Sequence, residues 1–420
     1  MTLRIAAIFL LAALATPHAA RPQRSAASAQ DPSPDIAHTP AGLTEIGTLN
    51  AVPYRIDIPA AWNHKLIVYF HGYSETPYTY RVGSLLNEQV APLFERGYAI
   101  IESGYSASGW ALAEAYPETE QLRLYFLKKY AQPALGKSAK KIEKNPESIE
   151  TIAAGGSMGG ALVAAVLELN PKPYAGGLNL CGSVGPTDLA FQRRFAWRAA
   201  FDFYFPNLLP PIDPVPADYE ETRTLRVRVE QALNDNPAGA LAMRNLTWLH
   251  SNHDLALAMV YFTFVIGDIQ HRAHGNAFDN RNFIYTGTDP SNTYSDNLLN
   301  DNVRRYAADP HAREYLVHHY TPTGQLHRPM VALHTVYDPR IPANTLTVYA
   351  EQVAVAGYSE NLVQQFVNRD GHCTFTEDEI GRTFDELTAW IDQHRRPAPG
   401  LLPPAKPASI TNSQHESGKP

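Results

Sequence analysis

Apolar residues along this chain recur in two alternating rhythms. Four short, nearly continuous apolar runs, Lys65 to Phe70, Tyr98 to Glu102, Ile149 to Ala154 and Gly176 to Cys181, have the length and make-up of strands buried on both faces of a parallel sheet. Between them lie segments with helical character: Leu85 to Arg96, Thr119 to Tyr130, which leads into a basic loop from Lys137 to Lys144, and Met158 to Leu169. Two strand-like pieces, Glu45 to Leu49 and Tyr54 to Ile58, precede the first run as hairpin partners. Repeated strand and helix of this kind predict an α/β protein with a doubly wound, mostly parallel sheet.

After Gly182 the rhythm breaks for roughly 145 residues, far longer than an ordinary strand-to-helix connection. Proline clusters, aromatic runs and an Asn/Asp-rich segment fill this stretch, and Leu225 to Leu233 and Asp254 to Ile266 read as helices. The strand pattern resumes at Met330 to Thr335 and again at Leu362 to Val367. A last helix begins at Thr376 and Glu379 in capping-box spacing and presents Ile380, Phe384, Leu387 and Ile391 on one face. The expected organisation is therefore a core from 41–182 and 328–396, with a large, mostly helical cap at 183–327 inserted ahead of the next strand.

The two ends read differently from the middle. Arg4, the apolar run Ile5 to Leu14 and small residues through Ala20 have the layout of an export signal over 1–20. An apolar run of about ten residues is too short to span a bilayer. A disordered leader is expected over 21–40, and a disordered tail over 397–420. Secretion or periplasmic export follows, with no membrane attachment after signal removal. With 44% hydrophobic residues, 18% charged residues and a net charge of -7, the chain offers no basic field for nucleic acid. The two cysteines, Cys181 and Cys373, are compatible with one disulfide in an exported protein.

The chemistry centres on Gly155-Gly156-Ser157-Met158-Gly159, between the third apolar run and the helix that follows. In a G-x-S-x-G turn the serine takes a strained conformation, and the elbow glycines Gly155 and Gly159 are needed where side chains would collide. The turn holds Oγ clear of the sheet, with helix N–H groups aimed at the same space. A phosphate-holding or merely close-packed turn is the alternative for such a pattern.

A serine hydroxyl needs a base, and the base needs a carboxylate to fix its tautomer. Asp338 follows the strand ending at Thr335, and His372 lies in the loop before the capped last helix, in the order Ser, Asp, His. Asp370 competes for the acid role but, two residues from His372, has little reach behind the imidazole. The backbone N–H groups of Met158 and of Tyr73, just after the first apolar run, are the expected oxyanion donors. His71 either orients that loop through its ring or is satisfied by backbone groups.

With these residues in place, the chain resembles the α/β-hydrolase superfamily, and more narrowly secreted bacterial carboxylesterases and prolyl-oligopeptidase-like serine hydrolases. The resemblance rests on His71-Gly72, Gly155 to Gly160, Asp338-Pro339 and Gly371-His372-Cys373, and covers 44–182 and 328–394. It implies an α/β-hydrolase fold and acyl transfer through Ser157, His372 and Asp338. The dipeptide His372-Cys373 is also similar to the tannase and feruloyl-esterase pattern, where a cysteine beside the catalytic histidine bonds to one beside the nucleophile. Here Gly156 stands in that second place. The expected bond therefore joins Cys373 to Cys181 and holds the His372 loop near the sheet; two buried free thiols are the alternative.

Other features add little. The Asp279 to Asp301 segment lacks calcium-loop spacing, and His311, His318, His319 and His327 lack His-Glu-x-x-His spacing. Neither a metal nor an organic cofactor is implied. The expected activity is hydrolysis of a small-molecule carboxylic ester, with short peptides or other amides second. A non-catalytic binding protein on the same fold is the third reading.

Overall fold

The computed structural model describes residues 31–131 and 149–403. The export signal, the basic loop from Lys137 to Lys144 and the tail beyond residue 403 lie outside the described residues. The frame is one ten-stranded sheet: β1 (Asp35–Thr39), β2 (Gly42–Leu49), β3 (Val52–Pro59), β4 (Leu66–Phe70), β5 (Ala99–Ser103), β6 (Thr151–Gly156), β7 (Gly176–Leu180), β8 (Met330–Tyr337), β9 (Leu362–Asp370) and β10 (Gly400–Leu401). Its spatial order is β1-β2-β3-β5-β4-β6-β7-β8-β9-β10. The first three strands are antiparallel, β3 meets β5 antiparallel, and every pairing from β5 onward is parallel. This is the α/β-hydrolase fold, with the loops that carry Ser157, Asp338 and His372 at the carboxyl edge of β6, β8 and β9.

The period-2 alternation of the central strands divides the core. In β4, Ile67 and Tyr69 face α1 (Ala91–Glu95) and the carboxyl-terminal helix, whereas Leu66, Val68 and Phe70 face the opposite layer. That opposite layer contains α2 (Leu112–Phe126) and α3 (Met158–Leu169), which is buried from Met158 to Glu168. Gly177 lets α3 lie close to the sheet, since a Cβ there would come 2.7 Å from both Val163 and Leu167 side chains.

The insertion between β7 and β8 contains six helices among the described residues: α4 (Thr187–Tyr204), α5 (Arg223–Asp235), α6 (Pro237–Thr247), α7 (Asn252–Ala273), α8 (Thr293–Asn302) and α9 (Pro310–His318). Thr222, Asn236, Ser251, Asn292 and Asp309 cap α5 to α9 with side-chain oxygens, which satisfies N–H groups that a helix leaves orphaned. The insertion shares one hydrophobic cluster with the α2/α3 face of the sheet. Its exit is pinned by Glu168 of α3, whose buried carboxylate accepts from Thr323, Gly324 and the Tyr349 hydroxyl at 2.8–3.0 Å. Beyond β8 come α10 (Asn344–Val355) and α11 (Glu377–Gln393), the latter opened by the Thr376/Glu379 capping box.

Three expectations are corrected. The leader does not run unstructured to residue 40, because Asp35 to Thr39 pair with Gly42 to Ile46 across a tight turn. The tail does not begin at 397: Gly400 and Leu401 add an edge strand to β9, and Leu402 donates to Phe366 O at 2.7 Å. The helix expected from Leu85 is only α1, because the Asn87 side chain takes the Gln89 N–H into a turn and Leu85 stays exposed.

Candidate active site

Ser157 sits at the junction of β6 and α3 with φ 56° and ψ -119°, a conformation that an L-residue holds only under strain. The turn is fixed by its own backbone: Ser157 N donates to Leu180 O, and Ser157 O accepts from Gly160 N and Ser183 N, all at 3.0 Å. The glycine requirement is steric. A Cβ on Gly159 would come 1.9 Å from Phe70 O, and one on Gly155 would come 2.5 Å from Gly159 O. Gly156 is also tight, with Gln89 Oε1 2.1 Å from where a Cβ would stand.

The structure brings Asp338 and His372 to this serine. His372 Nε2 lies 2.8 Å from Ser157 Oγ, and Nδ1 lies 2.7 Å from Asp338 Oδ2. A carboxylate only accepts, so Nδ1 carries the hydrogen and Nε2 is left to accept from the serine hydroxyl. Asp338 is buried, and its Oδ1 accepts from the N–H groups of Arg340 and Ile341 at 2.8 and 3.0 Å. Burial pushes its carboxyl pKa up, but hydrogen bonding and charge attraction from His372, His334 and Ile341 N outweigh this and hold it below the ordinary value. Asp370, the competing acid, is exposed at the end of β9.

Several contacts set the position of the histidine loop. Thr335 Oγ1 donates to Gly371 O at 2.8 Å, and Gly371 N donates to Tyr337 O at 2.9 Å, which ties the loop to β8. Cys181 and Cys373 form a disulfide, so the residue after His372 is bonded to the residue after β7. The cysteine partner is thus not beside the nucleophile, where Gln89 fills the space over Gly156. The two sulfurs and His372 are close together, but the sulfurs are consumed in bonding to each other.

Tyr73 and Met158 line the same cavity as Ser157 and His372. Met158 is the first residue of α3, so its N–H has no acceptor within the helix. Gly72 crosses close over Ser157, since a Cβ there would stand 3.3 Å from Ser157 Cβ. The Tyr73 ring points into the insertion, edge-on to Tyr261, and its hydroxyl donates to Asp268 Oδ2 at 3.2 Å. His71 is buried between the rings of Tyr78 and Tyr105, with both centroids 3.9 Å away, and donates from Nδ1 to Gly72 O at 2.7 Å. Burial pushes its pKa down to about 4, so the ring is neutral and acts as a spacer for the loop.

Sequence reasoning missed what the insertion contributes. Asp268 of α7 holds Tyr73 Oη, Trp110 N at 2.7 Å and Arg272 Nε at 3.0 Å, so one carboxylate anchors two walls of the site. Tyr337, beside Asp338, donates to Asp254 at 2.9 Å and stacks on His250. Arg194 of α4 and Arg340 complete the lining. The weak signal for Asp268 is Gly109, at φ 80°, where any side chain would strike the Asp268 carboxylate.

The space over Ser157 is small, about 20 Å³, little more than one water requires. A larger cavity of about 480 Å³ lies in the insertion, lined by Val215, Phe264 and His271 among others, and touches neither Ser157 nor His372. Of the two, only the smaller space is lined by both Ser157 and His372.

Comparison of the sequence with protein-family models and with curated proteins finds no match. Among solved structures, the chain is similar to a puromycin hydrolase at 15% identity and a TM-score of 0.39, covering 88% of this chain and 41% of that one. It thus spans about two fifths of that enzyme's length. It is similar to an esterase of Pyrococcus furiosus at 11% identity and a TM-score of 0.37, over 86% of this chain and 92% of that one. The corresponding values for feruloyl esterase B from Aspergillus oryzae are 11% identity, a TM-score of 0.43 and 89% of both chains.

Proposed function

We propose that this chain is an exported serine hydrolase that cleaves small carboxylic esters through an acyl-enzyme. The observation that carries this reading is the unbroken relay from Ser157 Oγ through His372 to Asp338, at 2.8 and 2.7 Å, on a strained elbow. His372 takes the Ser157 proton as Oγ attacks the carbonyl, and Asp338 stabilises the imidazolium that forms. The N–H groups of Met158 and Tyr73 receive the oxyanion. His372 then protonates the departing alkoxide, and a water activated by the same imidazole releases the acid. An ester comes before an amide because its leaving group needs less help from the acid. The small space over Ser157 favours short acyl groups. The disulfide suits an oxidising compartment, in accord with export.

The test is a panel of p-nitrophenyl esters of rising chain length beside chromogenic peptides. The reading expects the highest kcat/KM on acetyl and other short acyl esters. Faster turnover of the peptides would replace it with a peptidase or amidase, and no turnover of any substrate would favour a binding protein.

A further inference from the structure

Arg194 is the outstanding charge in this site. It lies on α4, is only 8% exposed, and lines the cavity shared by Ser157, Met158 and His372. Among the described residues it has no ion-pair partner, and its one hydrogen bond goes from Nη2 to Arg340 O at 3.1 Å. The rings of Phe191 and Phe262, 5.0 and 5.5 Å away, pack against it and offer cation–π attraction but no counter-charge. The Asp338 charge attracts Arg194, but both its oxygens are engaged by His372, Arg340 N and Ile341 N. Burial lowers the Arg194 pKa and outweighs the attraction of Asp338.

Arg340 stands at the exposed rim of the same cavity, with its guanidinium 4.9 Å over the Tyr261 ring and no ion pair among the described residues. Glu221 attracts the Arg340 charge but is already paired with Arg226. Two cations therefore face a space that also holds the nucleophile. The Arg194 N–H donors not used on Arg340 O open onto the cavity, where a ligand anion would pair with them.

We infer that Arg194, with Arg340 at the rim, receives a carboxylate carried by the substrate a few bonds from the scissile carbonyl. The inference rests on the serine hydrolase reading and names its substrate class. A carboxylate fits because a planar guanidinium binds it through two parallel hydrogen bonds. A monoanion is preferred to a phosphate dianion because the Asp338 carboxylate already acts on Arg194. Two kinds of small ester carry such a group: half-esters of short dicarboxylic acids, with the charge on the acyl side, and O-acetyl hydroxy acids, with the charge on the leaving side.

The experiment compares each acid with its uncharged carboxamide on the wild-type enzyme: monoethyl malonate and monoethyl succinate in one arm, O-acetyl glycolate and O-acetyl lactate in the other. A fluorophosphonate probe is run in parallel. The expected result is a kcat/KM preference for the carboxylate of about tenfold or more in one arm, the scale of a charge-assisted hydrogen bond. Arg194→Met should collapse that ratio toward one, chiefly through KM, and Arg194→Lys should recover part of it. Labelling of Ser157 with no carboxylate preference in either arm overturns the inference while leaving the hydrolase reading intact. A wild-type preference that survives in Arg194→Met also overturns it. Absence of labelling removes the hydrolase reading and this inference together.

Discussion

Asp338 divides its carboxylate between two tasks: Oδ2 takes the His372 Nδ1–H at 2.7 Å, while Oδ1 holds the backbone of its own turn through Arg340 and Ile341. The turn therefore fixes the carboxylate through contacts that do not involve the histidine. In Asp338→Asn the amide keeps the shape but can present its N–H to Nδ1, which forces the hydrogen to Nε2 and removes the acceptor for Ser157. The expected loss in kcat is roughly 10⁴-fold with little change in melting temperature. Steady-state kinetics on a p-nitrophenyl ester check this, and a loss below tenfold would remove Asp338 from the relay.

The Cys181–Cys373 bond closes a loop of 192 residues that contains the whole insertion. Cys373 Sγ also lies 3.6 Å from His372 Nε2, so the bond acts on the base as well as on the fold. Replacing both cysteines by serine should cost about 2–5 kcal/mol of stability and lower kcat through a looser His372 loop. Thermal melts and kinetics, with and without reductant, read both effects. Unchanged values after complete reduction would show that neither depends on the bond.

Gly159 has no room for a side chain, because a Cβ would overlap Phe70 O at 1.9 Å. Relief requires β4 and α3 to separate at the point where the nucleophile is held. Gly159→Ala is expected to cost several kcal/mol, as overpacking and backbone strain combine. The readout is soluble yield and melting temperature together with activity, and a stable, fully active variant would contradict the elbow geometry.

Glu102 on β5 is buried, near Arg55 and Asp57, and burial pushes its pKa from 4.5 up to about 8. Between these values the folded protein keeps a proton that the unfolded chain releases, so stability falls as pH rises through this window. Glu102→Gln carries no charge to bury. Its melting temperature should match wild type near pH 4.5, exceed it increasingly up to about pH 8 and keep a constant lead above that, since each unit of pKa shift is worth about 1.4 kcal/mol. A constant difference across the range would refute the assignment.

The sheet was legible because its strands are locally coded: Leu66 to Phe70 and Thr151 to Gly156 are fully buried and read as continuous apolar or small-residue runs. The residues that meet at the site were also locally marked, Ser157 by its glycines and His372 by the capped helix that follows. The Arg194 contact with Arg340 spans 146 residues, and the Asp268 contact with Tyr73 spans 195. Such pairs leave no periodicity, because only the packing of the insertion onto the sheet brings them together. The strands β1 and β10 were hidden for a related reason, since short, proline-flanked edge segments gain order only from a neighbouring strand.

The account depends most on Ser157 being an activated nucleophile. Intact-mass and peptide mapping after treatment with a fluorophosphonate probe test this directly. A single adduct on Ser157 is expected in the wild-type protein, none in Ser157→Ala, and much slower labelling in His372→Ala. Equal labelling of wild type and Ser157→Ala, or no labelling of the folded wild-type protein, would contradict it.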